Sequence, residues 1–380
     1  MNEFSELSRS CDTPKLLTNR LEYFDFLRAC AILFIIVGHI PQYLINDGIS
    51  QIFSPYITIF GMSLFVFISG YLIYQNNSTI KSYKDILHFY KKRIVRIFPL
   101  YLIAIIFYYI VFAILIPHFA PQYTKPDLST LYGATNIFSH ITGTQVLLSP
   151  MISTPLPALS FIGLIMLFYF IYPILIYLSK DVKRFFAYAI LLLAFFCVVR
   201  LSFNIIDNRV FNYYLIFIFG VISCYANIFV DKKYSRFLIY IPIIFILSLL
   251  FNIRLGSLLE LGYSTSITTL LNLVFIVDGG VVMMVSFSII CLLFAKDFTI
   301  KGGIENRGFG AISTASYPAF LFHTPIFYLG YGVTYFLNFS PIIHNVFIIF
   351  IVVPFIFILS YFIQKYENKF WRNKLDWMKF

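Results

Sequence analysis

The feature that most constrains this chain is a series of ten apolar runs, each about as long as the ~20 residues a helix needs to cross a bilayer. Short, basic segments separate them. In hydrocarbon every backbone N–H and C=O must be satisfied within the protein, so a run of this length crosses as a helix. Only 12% of the 380 residues are charged, too few to give each run a solvated face. The expected fold is therefore all-α, a polytopic transmembrane helix bundle. The runs fall at about 24–44, 53–75, 95–117, 156–178, 185–204, 210–230, 237–253, 269–294, 309–331 and 342–364. They divide the chain into an N-terminal tail (1–22), a membrane domain (23–366) and a basic C-terminal tail (367–380).

The net charge of +11 is distributed by side. One set of segments holds Arg9, Lys15 and Arg20, the cluster from Lys81 to Arg96, then Lys180, Lys183 and Arg184. It continues with Lys232, Lys233 and Arg236, with Lys296, Lys301 and Arg307, and with the C-terminal basic residues. The opposite segments hold only Lys125, Arg200, Arg209 and Arg254. Basic residues concentrate on the cytoplasmic side, so both termini are expected there. Placed in short loops, this charge points to membrane lipids as the partner and not to nucleic acid. The five cysteines have no metal-ligand or disulfide spacing.

Two segments depart from simple spanning. Residues 76–94 are basic and amphipathic, and read as an interfacial helix feeding the third span. In the long outer segment 118–155, the stretch IFSHITGTQVLLSP is too short and polar to cross. It is expected to form a re-entrant or surface helix over an outward cavity.

Polar residues inside the runs are candidates for chemistry, because ionisable groups in a membrane helix are costly and face the protein interior. Arg28 and His39 lie eleven positions apart in the first run. Eleven residues rise ~16 Å and turn to within ~20° of three whole turns, so the two side chains share a face. Alone, each reads as a snorkelling arginine or a hydrogen-bonded structural histidine; together they suggest a site. Arg93 and Arg96 share a helix face and can clamp phosphate oxygens, although positive-inside anchoring explains them as readily. Pro99 is expected to distort or open the start of the third span. His323 is expected at a depth similar to His39. Ser69 and Gly70, in FVFISGYL, suit close helix packing.

These residues resemble acyltransferase family 3, the integral-membrane acyltransferases that modify cell-surface carbohydrates. Asp25, Leu27, Arg28 and His39 match its opening, and FVFISGYL its second-span motif. Arg93, Arg96, Pro99 and Tyr101 match its Arg-x-x-Arg-x-x-Pro-x-Tyr motif. Ser316, Tyr317, Leu321 and His323 match its late Ser-Tyr...Leu-x-His-x-Pro pattern. The resemblance runs from about 20 to 365. In the fourth span Phe168, Tyr169 and Pro173 fit, but Ile165 stands where many members carry Glu, and Ser160 where they carry Trp. The chain therefore resembles a divergent branch without that carboxylate.

The resemblance implies a bacterial inner (plasma) membrane enzyme. It implies acyl transfer, with acetyl the expected group, from cytoplasmic acyl-CoA to a hydroxyl of a surface polysaccharide or glycolipid. Acetyl-CoA is then a donor substrate, and no permanently bound cofactor is expected. His39, Arg28 and Asp278 are the expected catalytic residues, with His39 either a general base or an acyl carrier. Arg93, Arg96 and Tyr101 are expected to bind CoA. His323, Ser69 and Tyr317 are expected to bind substrate. Asp278 enters because it is the one carboxylate deep in an expected span, beside Gly279 and Gly280. A transporter of a glycan or lipid-linked sugar is the alternative, since buried Arg and His also serve transport.

Overall fold

The computed structural model describes residues 14–45, 48–115, 131–149, 151, 156, 158–179, 181–226, 240–259, 280–300 and 307–375. Among them the regular structure is all helical. In chain order these are α1 (Pro14–His39), α2 (Gly48–Asn76), α3 (Tyr83–Ile110), α4 (Leu131–Thr142), α5 (Gln145–Leu148) and α6 (Leu159–Leu178). Then come α7 (Val182–Phe203), α8 (Asn208–Tyr225), α9 (Ile241–Leu259), α10 (Val281–Ile300), α11 (Arg307–Phe336), α12 (Pro341–Phe347) and α13 (Val353–Leu375).

Among the described residues, six helices are long and apolar enough to cross a membrane: Tyr23–Tyr43, Ser54–Asn76, Tyr83–Ile110, Leu159–Leu178, Lys183–Phe203 and Pro341–Phe370. Helices α8, α9, α10 and α11 stand where four further spans are expected. The protein is a multi-pass helical bundle.

Helix ends differ from the expected boundaries where only composition marked them. α1 starts at Pro14, inside the polar tail, and α13 runs on through residues 366 and 367. A helix stops at a cap or a breaker rather than where polarity changes. The expected interfacial helix is likewise not separate from the third span. Ser82 caps α3, its Oγ accepting from Asp85 N–H (3.3 Å) while Asp85 Oδ2 accepts from Ser82 N–H (2.8 Å). From that cap α3 continues unbroken to Ile110 with Pro99 inside it, so Pro99 does not open the span.

The centre of the bundle is α2, packed between α1 and α8, with α11 closing over α1 and α3. The α2–α8 crossing depends on two glycines. A Cβ at Gly70 would strike the Phe217 carbonyl, and one at Gly220 would strike the Phe67 carbonyl. Small residues that let backbones approach are the usual glue of membrane helices. The FVFISGYL stretch thus has a packing role, carried by Gly70.

The stretch expected to be re-entrant or on the surface forms a pair of short helices, α4 and α5, docked on the bundle. Tyr101 Oη donates to the His140 carbonyl (2.8 Å) and accepts from Gln145 Nε2 (3.1 Å). Gln145 Nε2 also donates to the Leu159 carbonyl (2.9 Å). Backbone bonds from Ile206 N–H to Leu147 O (2.9 Å) and from Asp207 N–H to Val146 O (2.8 Å) join α5 to the α7–α8 turn. The stretch 116–130 lies outside the described residues.

Candidate active site

Polar side chains gather at two levels of the bundle, both anchored on α1. The first level surrounds Arg28. Its Nη1 donates to Asp25 Oδ1 (3.3 Å), one turn earlier on the same helix, and Ser313 Oγ of α11 donates to the same oxygen (2.9 Å). Arg28 also lies in the electrostatic range of Arg96 on α3 and Tyr169 on α6. Arg93 is one turn from Arg96. Its guanidinium stands over the Phe89 ring (5.2 Å to the centroid) and the Tyr169 ring (4.9 Å). Among the described residues, the buried Arg93 Nε has no hydrogen-bond partner. Tyr169 Oη reaches Ser69 Oγ on α2 at 3.5 Å. Tyr317 Oη of α11 donates to the Ile97 carbonyl (2.8 Å), tying α11 to the arginine-bearing turn of α3. Glu367 on α13 interacts electrostatically with Arg96 and Tyr317.

Three arginines from two helices thus gather at this level, and among the described residues Arg28 alone of them is ion-paired with a carboxylate, Asp25. Arg93 is half-buried and Arg96 exposed. Arginine forks suit the planar, bidentate recognition of phosphate oxygens. Ser69 and Tyr317, expected with the acceptor, stand with the arginines. Tyr101, expected with the donor phosphates, instead gives its hydroxyl to α4 and α5.

The second level lies at the far end of α1. Pro41 has no N–H to give the Val37 carbonyl, so the α-helix ends at His39 and tightens into a 3₁₀ turn, Ile40–Tyr43. The carbonyl of Gly38, left at this helix end, accepts from Ser54 Oγ of α2. A Cβ at Gly38 would collide with Thr58 of the same helix, so only glycine lets α2 come this close to His39.

His39 and His323 meet here, edge to face, with ring centroids 4.8 Å apart and an interplanar angle of 72°. A carbonyl oxygen only accepts, so a ring nitrogen beside one carries the proton. His39 Nδ1 is 2.7 Å from the Ile35 carbonyl and is therefore the protonated nitrogen. Its Nε2 keeps a free lone pair in the neutral ring, and none of the described residues bonds to it. His323 is fully buried, with Nδ1 2.8 Å from the Phe320 carbonyl and 3.1 Å from that of Ala319. The Tyr43 ring stacks on Phe327 (4.7 Å, 12°) beside this pair. His344 Nε2 donates to the Tyr43 carbonyl (2.7 Å), and Asn345 exchanges two hydrogen bonds with the Ile45 backbone (3.0 and 3.1 Å).

A family model described as an acyltransferase domain matches residues 21–363. The chain belongs to acyltransferase family 3. The match takes in both levels of the site, from Arg28 to His323. No curated protein and no solved structure matches the chain.

In this family-3 chain the fourth-span position without its carboxylate, Ile165, is a buried core residue. The tautomer of His39 is held by its own helix through the Ile35 carbonyl. Asp278 and Gly279 lie outside the described residues. Among the described residues no group of three or more His, Cys, Asp or Glu has metal-binding geometry. Sequence reasoning missed Thr324, Tyr108 and Ser313 as polar members of the site. The available signal was their position: Thr324 adjoins His323, and Tyr108 is a phenol in an apolar run.

Proposed function

We propose that this protein transfers an acyl group, acetyl by expectation, from cytoplasmic acyl-CoA to a hydroxyl of an extracytoplasmic polysaccharide or glycolipid. One observation carries the reading: a cation-rich level and an imidazole level are set on the same helix, eleven residues apart. At ~1.5 Å per residue that is ~16 Å, a span for an extended pantetheine arm. Arg93 and Arg96 hold the nucleotide phosphates, and Arg28 draws the anionic donor inward. The thioester is presented at the second level beside His39.

His39 acts there as general base. Its Nδ1–H bond to Ile35 leaves Nε2 as the basic nitrogen, the arrangement an orienting group gives a catalytic imidazole. Nε2 takes the proton of the acceptor hydroxyl while that oxygen bonds to the acyl carbon. The C–S bond then breaks, and the departing thiolate takes the proton from His39 and leaves as free CoA. Both reactants sit in a low-dielectric interior, where each fixed charge acts more strongly than in water.

The test uses purified protein in liposomes with acetyl-CoA labelled in the acetyl group. Surface polysaccharide from a deletion strain is enclosed on the opposite side. Label appearing in the polysaccharide, with CoA released, is the expected result. Movement of glycan across the bilayer without acyl transfer overturns the reading in favour of transport. Orientation is checked separately: cysteines at Gln75 and Asn338 are expected to label from opposite sides, the first from the cytoplasm. Labelling of both from one side breaks the arrangement.

A further inference from the structure

A further polar cluster lies where α7 turns into α8 and has no part in the scheme above. Asp207 caps α8, its Oδ1 accepting from the Arg209 N–H (2.9 Å). The Arg209 side chain forks onto the same carboxylate, Nε to Oδ1 (2.9 Å) and Nη2 to Oδ2 (2.6 Å). Its third nitrogen, Nη1, donates to Ser160 Oγ on α6 (3.2 Å). Arg200, in the last turn of α7, lies in the electrostatic range of Asp207. Asn212 follows Arg209 by three residues and shares its face of α8. Ser160 and Asn212 are buried, while the Arg209 side chain is 44% exposed.

Helix α2 places this cluster at the imidazole end of the bundle. Ser54 and Thr58 of α2 face Gly38, beside His39. One turn further, Met62 Sδ meets Tyr213 Oη of α8 (3.7 Å). Further still, Gly70 crosses Phe217, and Ser69 meets Tyr169 at the arginine level. Arg209 precedes Tyr213 by one turn, so it stands toward the His39 end. Two aromatic rings link it to the histidines. Phe161, next to Ser160, lies 5.0 Å from Phe320, and Phe320 lies 5.9 Å from His323, between ring centroids.

Charge and hydrogen bonding both ask for a ligand here. The segments expected away from the cytoplasm hold four basic residues, and Arg200 and Arg209 are two of them. Positive-inside anchoring therefore does not account for this pair. Asp207 pairs with Arg209, and no ion pair among the described residues involves Arg200. Arg200 Nη1 and Asn212 Oδ1 are buried, and among the described residues neither has a hydrogen-bond partner. Buried polar atoms are nearly always matched, by protein, water or ligand. The two are opposite in kind. An anionic oxygen suits the guanidinium and a hydroxyl suits the amide oxygen. A sugar bearing an acidic group carries both.

We propose that Arg200, Arg209, Ser160 and Asn212 form the subsite that holds the acceptor glycan, and that it takes an acidic sugar, one bearing a carboxylate or a phosphate. The proposal rests on the acyl-transfer reading above and adds the chemical class of the acceptor. Arg200 binds the anion. Arg209, fixed by Asp207 and Ser160, adds its positive field, and Asn212 accepts from a neighbouring hydroxyl. The glycan is thereby held at the end of α1 opposite the arginines that hold CoA.

Two measurements test it. The first needs no acyl donor. Surface polysaccharide from a deletion strain is titrated into protein in phosphatidylcholine nanodiscs, in three forms: native, carboxyl-reduced and stripped of phosphate. The native form is expected to bind. One of the two treatments is expected to weaken binding by ~10-fold or more, the usual worth of a hydrogen bond to a charged group. The treatment that does so identifies the anion. Arg200→Gln is expected to weaken binding of the native form to the same extent, and Arg200→Lys to recover part of it. Asn212→Asp, which adds a carboxylate to the cluster, is expected to weaken it as well. The second measurement is acetyl transfer from labelled acetyl-CoA. Arg200→Gln is expected to raise KM for the native polysaccharide by ~10-fold or more. KM for acetyl-CoA, and kcat at saturating acceptor, stay unchanged.

Native polysaccharide that does not bind, or that binds equally after both treatments, overturns the proposal. So does wild-type affinity in a folded Arg200→Gln protein. If Arg200→Gln does not fold, Arg200→Lys and Asn212→Asp carry the comparison, and wild-type affinity in both overturns it. The two readings fail separately. Anion-dependent binding without any acetyl transfer refutes acyl transfer and leaves a glycan-binding subsite. Transfer to the charge-stripped forms at the native KM refutes the acidic acceptor and leaves acyl transfer.

Discussion

The two levels of the site solve opposite problems. Around Arg28, three guanidinium groups gather and, among the described residues, only Arg28 is ion-paired with a carboxylate, while the buried Arg93 Nε has no hydrogen-bond partner. Around His39, among the described residues, no charged group is hydrogen-bonded to either imidazole; each Nδ1 is matched to a carbonyl. The first level has positive charge to spare and is partly open, which suits an anion that arrives and leaves. At the second, the described hydrogen-bond partners of the two imidazoles are backbone carbonyls and one hydroxyl, uncharged groups that suit moving one proton. The difference teaches where the donor and the chemistry belong. On the proposed reading, phosphates are held where arginine is available, and bonds change beside the imidazoles.

The comparison breaks most sharply at His39. His39→Gln is expected to lower acyl transfer by ~10²–10⁴-fold, the usual contribution of a positioned general base. Acyl-CoA affinity is expected to stay unchanged, read by calorimetry on the same preparation. Lost CoA binding in a folded His39→Gln protein would merge the two levels into one.

Removing the arginines is expected to do the reverse. Arg93→Gln or Arg96→Gln weakens acyl-CoA binding by ~1–3 kcal/mol each, the usual worth of a hydrogen bond to a charged group. Lysine at either position restores part of the binding, because the charge survives and the planar fork does not. Unchanged CoA affinity in a folded double Gln variant would return both residues to membrane anchoring.

A smaller effect sharpens the first level. Arg93 is held between Phe89 and Tyr169, and a cation over an aromatic face is worth ~0.5–1 kcal/mol at an exposed site. Tyr169→Leu is therefore expected to weaken CoA binding by ~2–5-fold, with kcat at saturating donor little changed.

The smallest effect lies at neither level, in the short helices α4 and α5. His140 Nδ1 donates to the Asn136 carbonyl (2.7 Å) and Nε2 accepts from Leu156 N–H (2.9 Å). Burial holds this imidazole below its ordinary value of 6.5, with the bond to Asn136 opposing. The unfolded chain thus takes the proton first. Its stabilising share is present above 6.5 and is lost as pH falls below that value. Hydrogen exchange in α4 and α5 is expected to quicken in mild acid, and His140→Gln to remove that dependence. Equal acid sensitivity in the variant would put its origin elsewhere.

Much of the bundle was legible in the sequence because its signals are local. A run of apolar residues reports a buried helix, and loop charge reports the expected side. The spacing of Arg28 and His39 puts them on one face of one helix, and α1 bears that out by running unbroken between them. The clustering of Arg93 and Arg96 on adjoining turns needed no more than their spacing before an apolar run. The continuity of α3 was less legible. A change from basic to apolar composition looks like a junction, yet nothing after the Ser82 cap ends the helix.

Tertiary structure alone decided what the polar residues face. His39 and His323 are 284 positions apart, and no periodicity relates two helices so distant in the chain. Tyr169 and Ser69 join the arginines only because α6 and α2 converge there. The orienting partner of His39 is the clearest case. Asp278, expected at the His39 site, lies outside the described residues, while the described partner of Nδ1 is a carbonyl four residues back on the same helix. Every helical residue has such a carbonyl within reach, so the sequence cannot say which side chain turns toward it. That choice belongs to the neighbours that crowd the ring, here His323 and the close approach of α2 at Gly38.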